Sequence, residues 1–419
     1  MNSDKNSPAD TYYKEWSNSI DSLKQREEGA GQLRYFLQVA ENYFTMNRDN
    51  CRPPKFIIIG NSFPEELIYA VGETPFYILG GSLGNLDEAD SMVPRDTDAV
   101  TQSILGYLIN DEFHLLQNAT VIIPVTSDSM RKLPAIIEKK FPVITVDFPP
   151  NKTSPTAKAK WVSEIHRIAG QLEQITHRKI SRHSFQKSLI LVNNARLQMR
   201  KFEYLTRKKN LDISGAMRLF VLNTYYFATD IAEWASHLYH LNQKLERQNE
   251  RPFILFPEPK VLIMGSPIIF PNYKIPFLLQ DIQLDIRAVA DVMTQKIYTN
   301  SIPQKRSMDF STYFDEAEWR YYEADTSSAY VDNITLLHNI NGLTKQSHFD
   351  GVIYHVLKGQ IEYDFELNRY EKFFHVLDIP VFRLETDYRY QDIEQLKIRM
   401  EAFKEMLVQN RYRKETQTP

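Results

Sequence analysis

The chain has 419 residues, too many for one ordinary hydrophobic core, so two or three domains are expected. Its 42% hydrophobic and 12% aromatic content is that of a packed globular protein, and 50 basic against 53 acidic residues leave a formal charge of -3 with no basic block, which argues against a nucleic-acid partner. The one cysteine, Cys51, excludes an internal disulfide and a cysteine metal cage built from this chain alone; beside Arg52-Pro53-Pro54 it reads as an incidental thiol.

The first ten residues are polar with no apolar core of a secretory signal, and no apolar run reaches the length of a membrane span. A soluble, cytoplasmic protein is the expectation. Residues 1–50 read as a polar tail followed by helices, with Leu33, Phe36, Leu37, Ala40 and Tyr43 on one helical stripe. From 51 to 155 short apolar runs alternate with helical patterns. Phe56 to Ile59, Phe76 to Leu79, Val121 to Val125 and Val143 to Val146 read as strands, with helices at Glu65 to Val71, Ala99 to Leu108 and Met130 to Lys139. That alternation predicts a parallel sheet with helices on its faces.

Residues 156–255 carry no comparable strand run and read as a helical segment. One expected helix carries Leu189, Val192, Ala195, Leu197 and Met199; another carries Met217, Val221, Tyr225, Ala228 and Ile231, with a boundary at Ser214-Gly215. From 256 to 408 the strand and helix alternation returns in the same order, before a polar tail at 409–419. Val261 to Pro267 echoes Phe56 to Ser62. The run Val121 to Ser127, a helix, then Phe141-Pro142-Val143-Ile144 is echoed by Val352 to Lys358, a helix, then Ile379-Pro380-Val381-Phe382. A last helix carries Ile393, Leu396, Met400, Phe403 and Leu407 on one stripe, with Asp392 and Gln395 placed to cap it. Two similar α/β units, each presenting strand-end loops, predict a site in the cleft between them.

No Walker A sequence, G-x-G-x-x-G, H-E-x-x-H or G-x-S-x-G is present. Gly80-Gly81-Ser82-Leu83-Gly84 follows a strand and suits either a plain turn or an anion cradle. Pro64-Glu65-Glu66-Leu67 opens a helix, where carboxylates suit the macrodipole; its place at a strand end makes Glu66 a candidate base. Thr126 to Met130 is a second strand-end loop, with Ser127 or Asp128 as a helix cap. His355, inside a strand, reads as a hydrogen-bonded core histidine.

These stretches resemble the 2-hydroxyacyl-CoA dehydratase and benzoyl-CoA reductase family, in particular its D-component-like subunits. The resemblance is carried by Pro64 to Gly72 with Pro75, by Pro124 to Leu133, and by Gly265-Ser266-Pro267. It continues through Asp350-Gly351-Val352-Ile353, Leu357 to Gln360, Ile379-Pro380-Val381, Glu385 to Tyr388 and Gln395 to Met406. It implies two flavodoxin- or Rossmann-like parallel-sheet domains plus a helical segment, pairing with a homologous cysteine-bearing subunit as a heterodimer, and an acyl-CoA substrate. It also implies a 4Fe-4S cluster held between the domains on three cysteines and an ATP-dependent activator that delivers one electron.

At the three positions matching the family's cluster cysteines this chain has Asp98, Ser127 and Gln360, and Cys51 matches none of them. A carboxylate, a hydroxyl and an amide are hard donors, whereas an iron-sulfur cluster takes thiolates. The expectation is that this chain binds no cluster of its own. Two functions follow: an accessory subunit that keeps the fold and an acyl-CoA cleft, or a cluster-independent enzyme on an acyl-CoA thioester with Glu66 as base. A weaker third reading puts an oxygen-ligand metal at Asp98 and Ser127.

Overall fold

The computed structural model describes residues 8–27, 30–45, 53–82, 89, 91–94, 96–110, 116, 118–250, 257–298 and 308–417. Cys51 lies outside them, as do Leu83 and Gly84.

The first sheet is built of β1 (Phe56–Ile59), β2 (Phe76–Ile78), β3 (Thr120–Pro124) and β4 (Val143–Val146), all parallel, in the order β2-β1-β3-β4. The second repeats it with β5 (Lys260–Gly265), β6 (Asp285–Asp291), β7 (Gly351–Leu357) and β8 (Val381–Thr386), in the order β6-β5-β7-β8. Every residue of β1 and β3 is buried. A parallel strand covered by helices on both faces needs such a continuous apolar run, and each buried Ile or Phe contributes roughly 1.5–3 kcal/mol.

Helices Ala157–Thr176, Arg182–Lys208, Gly215–Asn223 and Ile231–Arg247 lie between the two sheets in sequence. Their starts are chemically marked. Ser181 and Ser184 form a reciprocal capping box, Ser214 accepts from the Met217 N–H, and Asp230 accepts from the Ala232 and Glu233 N–H groups.

The structure corrects several expectations. Leu197 is 53% exposed; the buried stripe of its helix runs through Leu189, Val192, Ala195, Met199 and Phe202. Met217 to Ile231 is not one helix, because a 3-10 turn at Thr224–Tyr226 interrupts it and Ile231 begins the next. The Asp392 carboxylate, expected to cap the last helix (Ile393–Gln417), instead accepts from Lys274 Nζ at 3.0 Å and Thr386 Oγ1 at 3.0 Å. Strand β6 has no counterpart in the sequence reading. Its buried Ile286, Ala288 and Ala290 alternate with half-buried Asp285, Arg287 and Val289, a weak pattern for an edge strand with small apolar residues and a Asp285–Arg287 ion pair. Helices Phe310–Ala324 and Ile334–Gln346 were likewise not anticipated.

Candidate functional site

The order β2-β1-β3-β4 reverses direction between β1 and β3, and the second sheet does so between β5 and β7. At such a switch point the two loops leave in opposite directions and open a crevice at the strand ends. Here the two crevices face each other. Gly60, Asn61 and Ser62 after β1, Thr126 and Ser127 after β3, Pro267 after β5 and Gln360 after β7 line one cavity of about 70 Å³.

Asp98, Ser127 and Gln360, far apart in sequence, all line this cavity. Gly359 is what allows it. Its φ is +87°, and a Cβ there would stand 2.8 Å from the Asp98 Cα and N, so only glycine lets the loop of the second sheet lie against the Asp98 backbone.

Each of the three residues immediately precedes a helix. Asp98, 3% exposed, accepts from the Thr101 N–H at 2.9 Å and the Thr101 hydroxyl at 2.8 Å, ahead of Ala99–Asn110. Ser127 Oγ accepts from the Met130 N–H at 3.1 Å and caps Asp128–Ile137. Gln360 stands at the start of Ile361–Val376 but makes no side-chain cap, and its buried amide oxygen has no partner. Glu362, two residues on, also lines the cavity; burial, with the nearby Asp98 and Asp128 carboxylates, pushes its carboxyl up to about 7.

Glu66 stands elsewhere, in a fully buried charged cluster. Arg196 Nη2 donates to Glu65 Oε1 and to Glu66 Oε2, both at 3.1 Å; Lys296 Nζ is ion-paired with Glu65 Oε2, and the Tyr225 hydroxyl donates to Glu65 at 2.5 Å. Burial alone would raise Glu65, but Lys296 and Arg196 outweigh it and hold the carboxyl down at about 2. Burial dominates at Glu66, which is raised although Arg196 opposes the shift. Glu318 is raised well above its ordinary value by burial and by Glu66, and both its carboxylate oxygens are buried without a partner. The cluster lies a layer behind the cavity. Asn61 of the cavity wall accepts from the Tyr321 hydroxyl at 3.4 Å, and the Arg196 guanidinium faces the Tyr321 ring at 5.9 Å.

His355 is a core histidine: it is 3% exposed, its Nδ1 pairs with the Ser266 carbonyl at 3.0 Å, and burial lowers it to about 4. Gly80 and Gly81 both have positive φ, and the Ser82 N–H that follows donates to Ser103 Oγ at 3.0 Å. Among the described residues no group of three or more His, Cys, Asp or Glu side chains is arranged to hold a metal ion.

Sequence reasoning missed Arg196, Lys296, Glu318 and Glu362. Arg196 carried a signal, since it shares the buried helical face with Val192 and Met199. Glu362 carried a fainter one as a first-turn carboxylate beside Gln360.

Two doubly wound sheets joined through a helical segment, with facing switch points and helix starts around one cavity, define a two-domain α/β protein with a cavity between its halves, where folds of this class bind ligands. The family described as 2-hydroxyglutaryl-CoA dehydratase, D-component, matches residues 61–407, and the chain belongs to it. Among similar proteins, the putative dehydratase subunit YjiM of Escherichia coli is 23% identical over 352 residues, covering 82% of this chain and 89% of that one. The (R)-phenyllactyl-CoA dehydratase beta subunit of Clostridium sporogenes is 23% identical over 347 residues, with 82% and 89% covered. The (R)-2-hydroxyglutaryl-CoA dehydratase subunit beta of Acidaminococcus fermentans is 23% identical over 362 residues, with 82% and 90% covered.

Proposed function

We infer that this chain is an accessory, non-catalytic subunit of a 2-hydroxyacyl-CoA dehydratase or benzoyl-CoA reductase type assembly. One observation carries the reading: the positions matching the family's cluster cysteines converge on a single cavity, and there they are Asp98, Ser127 and Gln360. Two of the three spend their oxygens on helix caps. This donor set does not fit a 4Fe-4S group, which is held by soft thiolates. The residues keep the architecture of the cleft and not its ligation.

On this reading the chain works in the cytoplasm beside a homologous cysteine-bearing subunit, served by an ATP-dependent activator, and contributes an acyl-CoA-binding surface. The relatives support the partner and the substrate class, being named as subunits of dehydratases that act on acyl-CoA compounds. Fold outlasts chemistry more readily than chemistry outlasts its cofactor. Anaerobic purification of the native chain tests the reading. The chain should carry no stoichiometric iron or sulfide and should co-purify with a cysteine-bearing relative; a cluster on the isolated chain, or a native monomer, would overturn it.

The second reading, a cluster-independent enzyme on an acyl-CoA thioester, is favoured by Glu362, a cavity-lining carboxyl that burial pushes up to about 7. Glu66 is the other candidate base for it; its ion pair with Arg196 ties up the carboxylate a base would need. Acyl-CoA turnover by the isolated chain, lost in Glu362→Gln or Glu66→Gln, decides for this reading, and absence of turnover decides against it.

A further inference from the structure

The helical segment contains one face that the fold leaves uncovered. Helix Arg182–Lys208 buries Leu189, Val192, Ala195, Met199 and Phe202, and Arg196 enters the sealed charged cluster from the same side. The opposite side carries the three large apolar side chains that this helix exposes: Ile190 at 58%, Leu197 at 53% and Tyr204 at 50%. They are spaced at a constant interval of seven residues.

Single exposed apolar residues are normal on a protein surface, but an interval of seven is the spacing at which one helix packs along another. Between these residues, at alternating steps of three and four, stand Lys187, Asn194, Lys201 and Lys208. Lys187, Asn194 and Lys208 are exposed, and Lys201 is half-buried with its Nζ paired to Glu246 at 2.8 Å. The face therefore consists of two parallel lines, one apolar and one basic with a single amide. From Ile190 to Tyr204 it runs for about 21 Å, or roughly four turns. Its neighbours hold it in place. Asn242 of Ile231–Arg247 donates to the Gln198 carbonyl at 3.0 Å, and the Arg207 guanidinium lies 5.9 Å from the Tyr204 ring. A face already ordered costs a partner little conformational entropy on docking.

The charges define what fits it. The helix has seven lysines and arginines, and its one carboxylate, Glu203, is held by Arg207 at 2.6 Å. A second copy of this chain is a poor occupant: paired in parallel, the two seams set lysine against lysine, and paired antiparallel they set lysine against the apolar line. A lipid surface accepts the positive charge but makes no use of the seven-residue interval. Carboxylates on a facing helix satisfy both the charge and the spacing.

We propose that this face docks an acidic amphipathic helix of a partner protein. The apolar stripe of that helix lies on Ile190, Leu197 and Tyr204, and its aspartates or glutamates lie beside Lys187, Lys201 and Lys208. Asn194 stands between Ile190 and Leu197, where a polar residue in a helix seam fixes register. No residue of this helix lines the cavity between the sheets, so the docking is independent of what that cavity holds and goes beyond the accessory-subunit reading.

The test is fluorescence anisotropy of the full chain with a labelled, stapled helical peptide of about 21 residues, with leucines at steps of three and four and glutamates on the flanks. One control has lysine in place of glutamate. The other is a scrambled peptide of equal composition with no apolar face. The acidic helix should bind saturably, the lysine peptide at least about tenfold more weakly, and the scrambled peptide not at all. Leu197→Asp should abolish binding and leave the melting temperature unchanged, because the side chain is exposed. Lys187→Glu combined with Lys208→Glu should reverse the preference toward the lysine peptide, a gain that a misfolded variant cannot produce. No saturable binding of the acidic helix, binding that survives Leu197→Asp, or equal binding of the scrambled peptide overturns the proposal. So does self-association of the chain in sedimentation that Leu197→Asp abolishes, or attachment to mixed phosphatidylserine and phosphatidylcholine vesicles that the same substitution releases.

Discussion

Two polar regions sit one layer apart in this molecule and are built on opposite principles. The cluster of Glu65, Glu66, Arg196, Lys296 and Glu318 is sealed, and Glu65 and Glu66 are both paired to cations. The cavity lined by Asp98, Ser127, Gln360 and Glu362 has no lysine, arginine or histidine in its wall among the described residues. The first joins a strand-end helix of the first sheet, the long helix Arg182–Lys208 and the segment after β6 into one body. The second lies where those bodies leave space. The difference teaches that one chain can fix its parts to each other with paired buried charges and still leave a polar cavity between them.

The sharpest way to break that contrast is to remove a cation from the sealed cluster. Lys296→Met leaves Glu65 with one fewer partner in a fully buried site, and such a loss should lower unfolding free energy by about 3–5 kcal/mol in urea titration. The same substitution paired with Glu65→Gln should recover part of the loss, a coupling a double-mutant cycle reads directly. A loss below about 1 kcal/mol would mean the cluster does not hold the bodies together.

Within the cluster the carboxyls should respond to pH in opposite senses. Glu65 is lowered when folded, so its contribution is present above the unfolded carboxyl value and is lost as pH falls toward about 2. Glu318 is raised when folded, so its contribution is present below the unfolded value and is lost as pH rises toward its folded value. Above about pH 5 the Glu318 share of stability should fall by about 1.4 kcal/mol per pH unit. Glu318→Gln should abolish that slope whatever constant cost the new amide adds. Parallel pH profiles for wild type and Glu318→Gln would show that Glu318 is ionised in the fold.

Seen from the sequence, the sealed and open regions were unequally legible. The strands were plain, because Phe56 to Ile59 is a continuous apolar run and Val352 to Val356 is broken only by the buried His355, the pattern a covered parallel strand shows. The convergence of residues 98, 127 and 360 was legible through the repeated strand-end loops and the family resemblance. The charged cluster was not, because its members come from four separate elements and pairing across such distances leaves no local periodicity. Strand β6 escaped for a related reason: its apolar residues are small and its charged ones are neutralised only in the fold, where Asp285 meets Arg218 and Arg287.

Gly359→Ala tests the boundary between the regions. The backbone there has a φ of +87°, and the new methyl would meet the Asp98 backbone at 2.8 Å. Strain and clash together should cost about 2 kcal/mol and push the two halves of the cavity wall apart. Unchanged stability would mean that the loop after β7 does not bear on the first domain.

The smallest expected effects separate capping from ligation at the cavity itself. Asp98→Ala and Ser127→Ala each remove an acceptor from a helix start and should cost about 1 kcal/mol, whereas Gln360→Ala removes no cap and should cost less than either. If these positions act only as caps, Asp98→Asn and Ser127→Thr, which keep an acceptor oxygen, should restore most of the loss in thermal unfolding. Replacing all three by cysteine then asks whether the cavity can hold a cluster when thiolates line it. The triple variant should lose about 2 kcal/mol from the two caps and gain iron and sulfide on anaerobic reconstitution, because the three positions already share one cavity and thiolates are the donors a cluster takes. Failure to gain them in a folded triple variant would show that the cavity lacks the shape a cluster needs, whatever its donors.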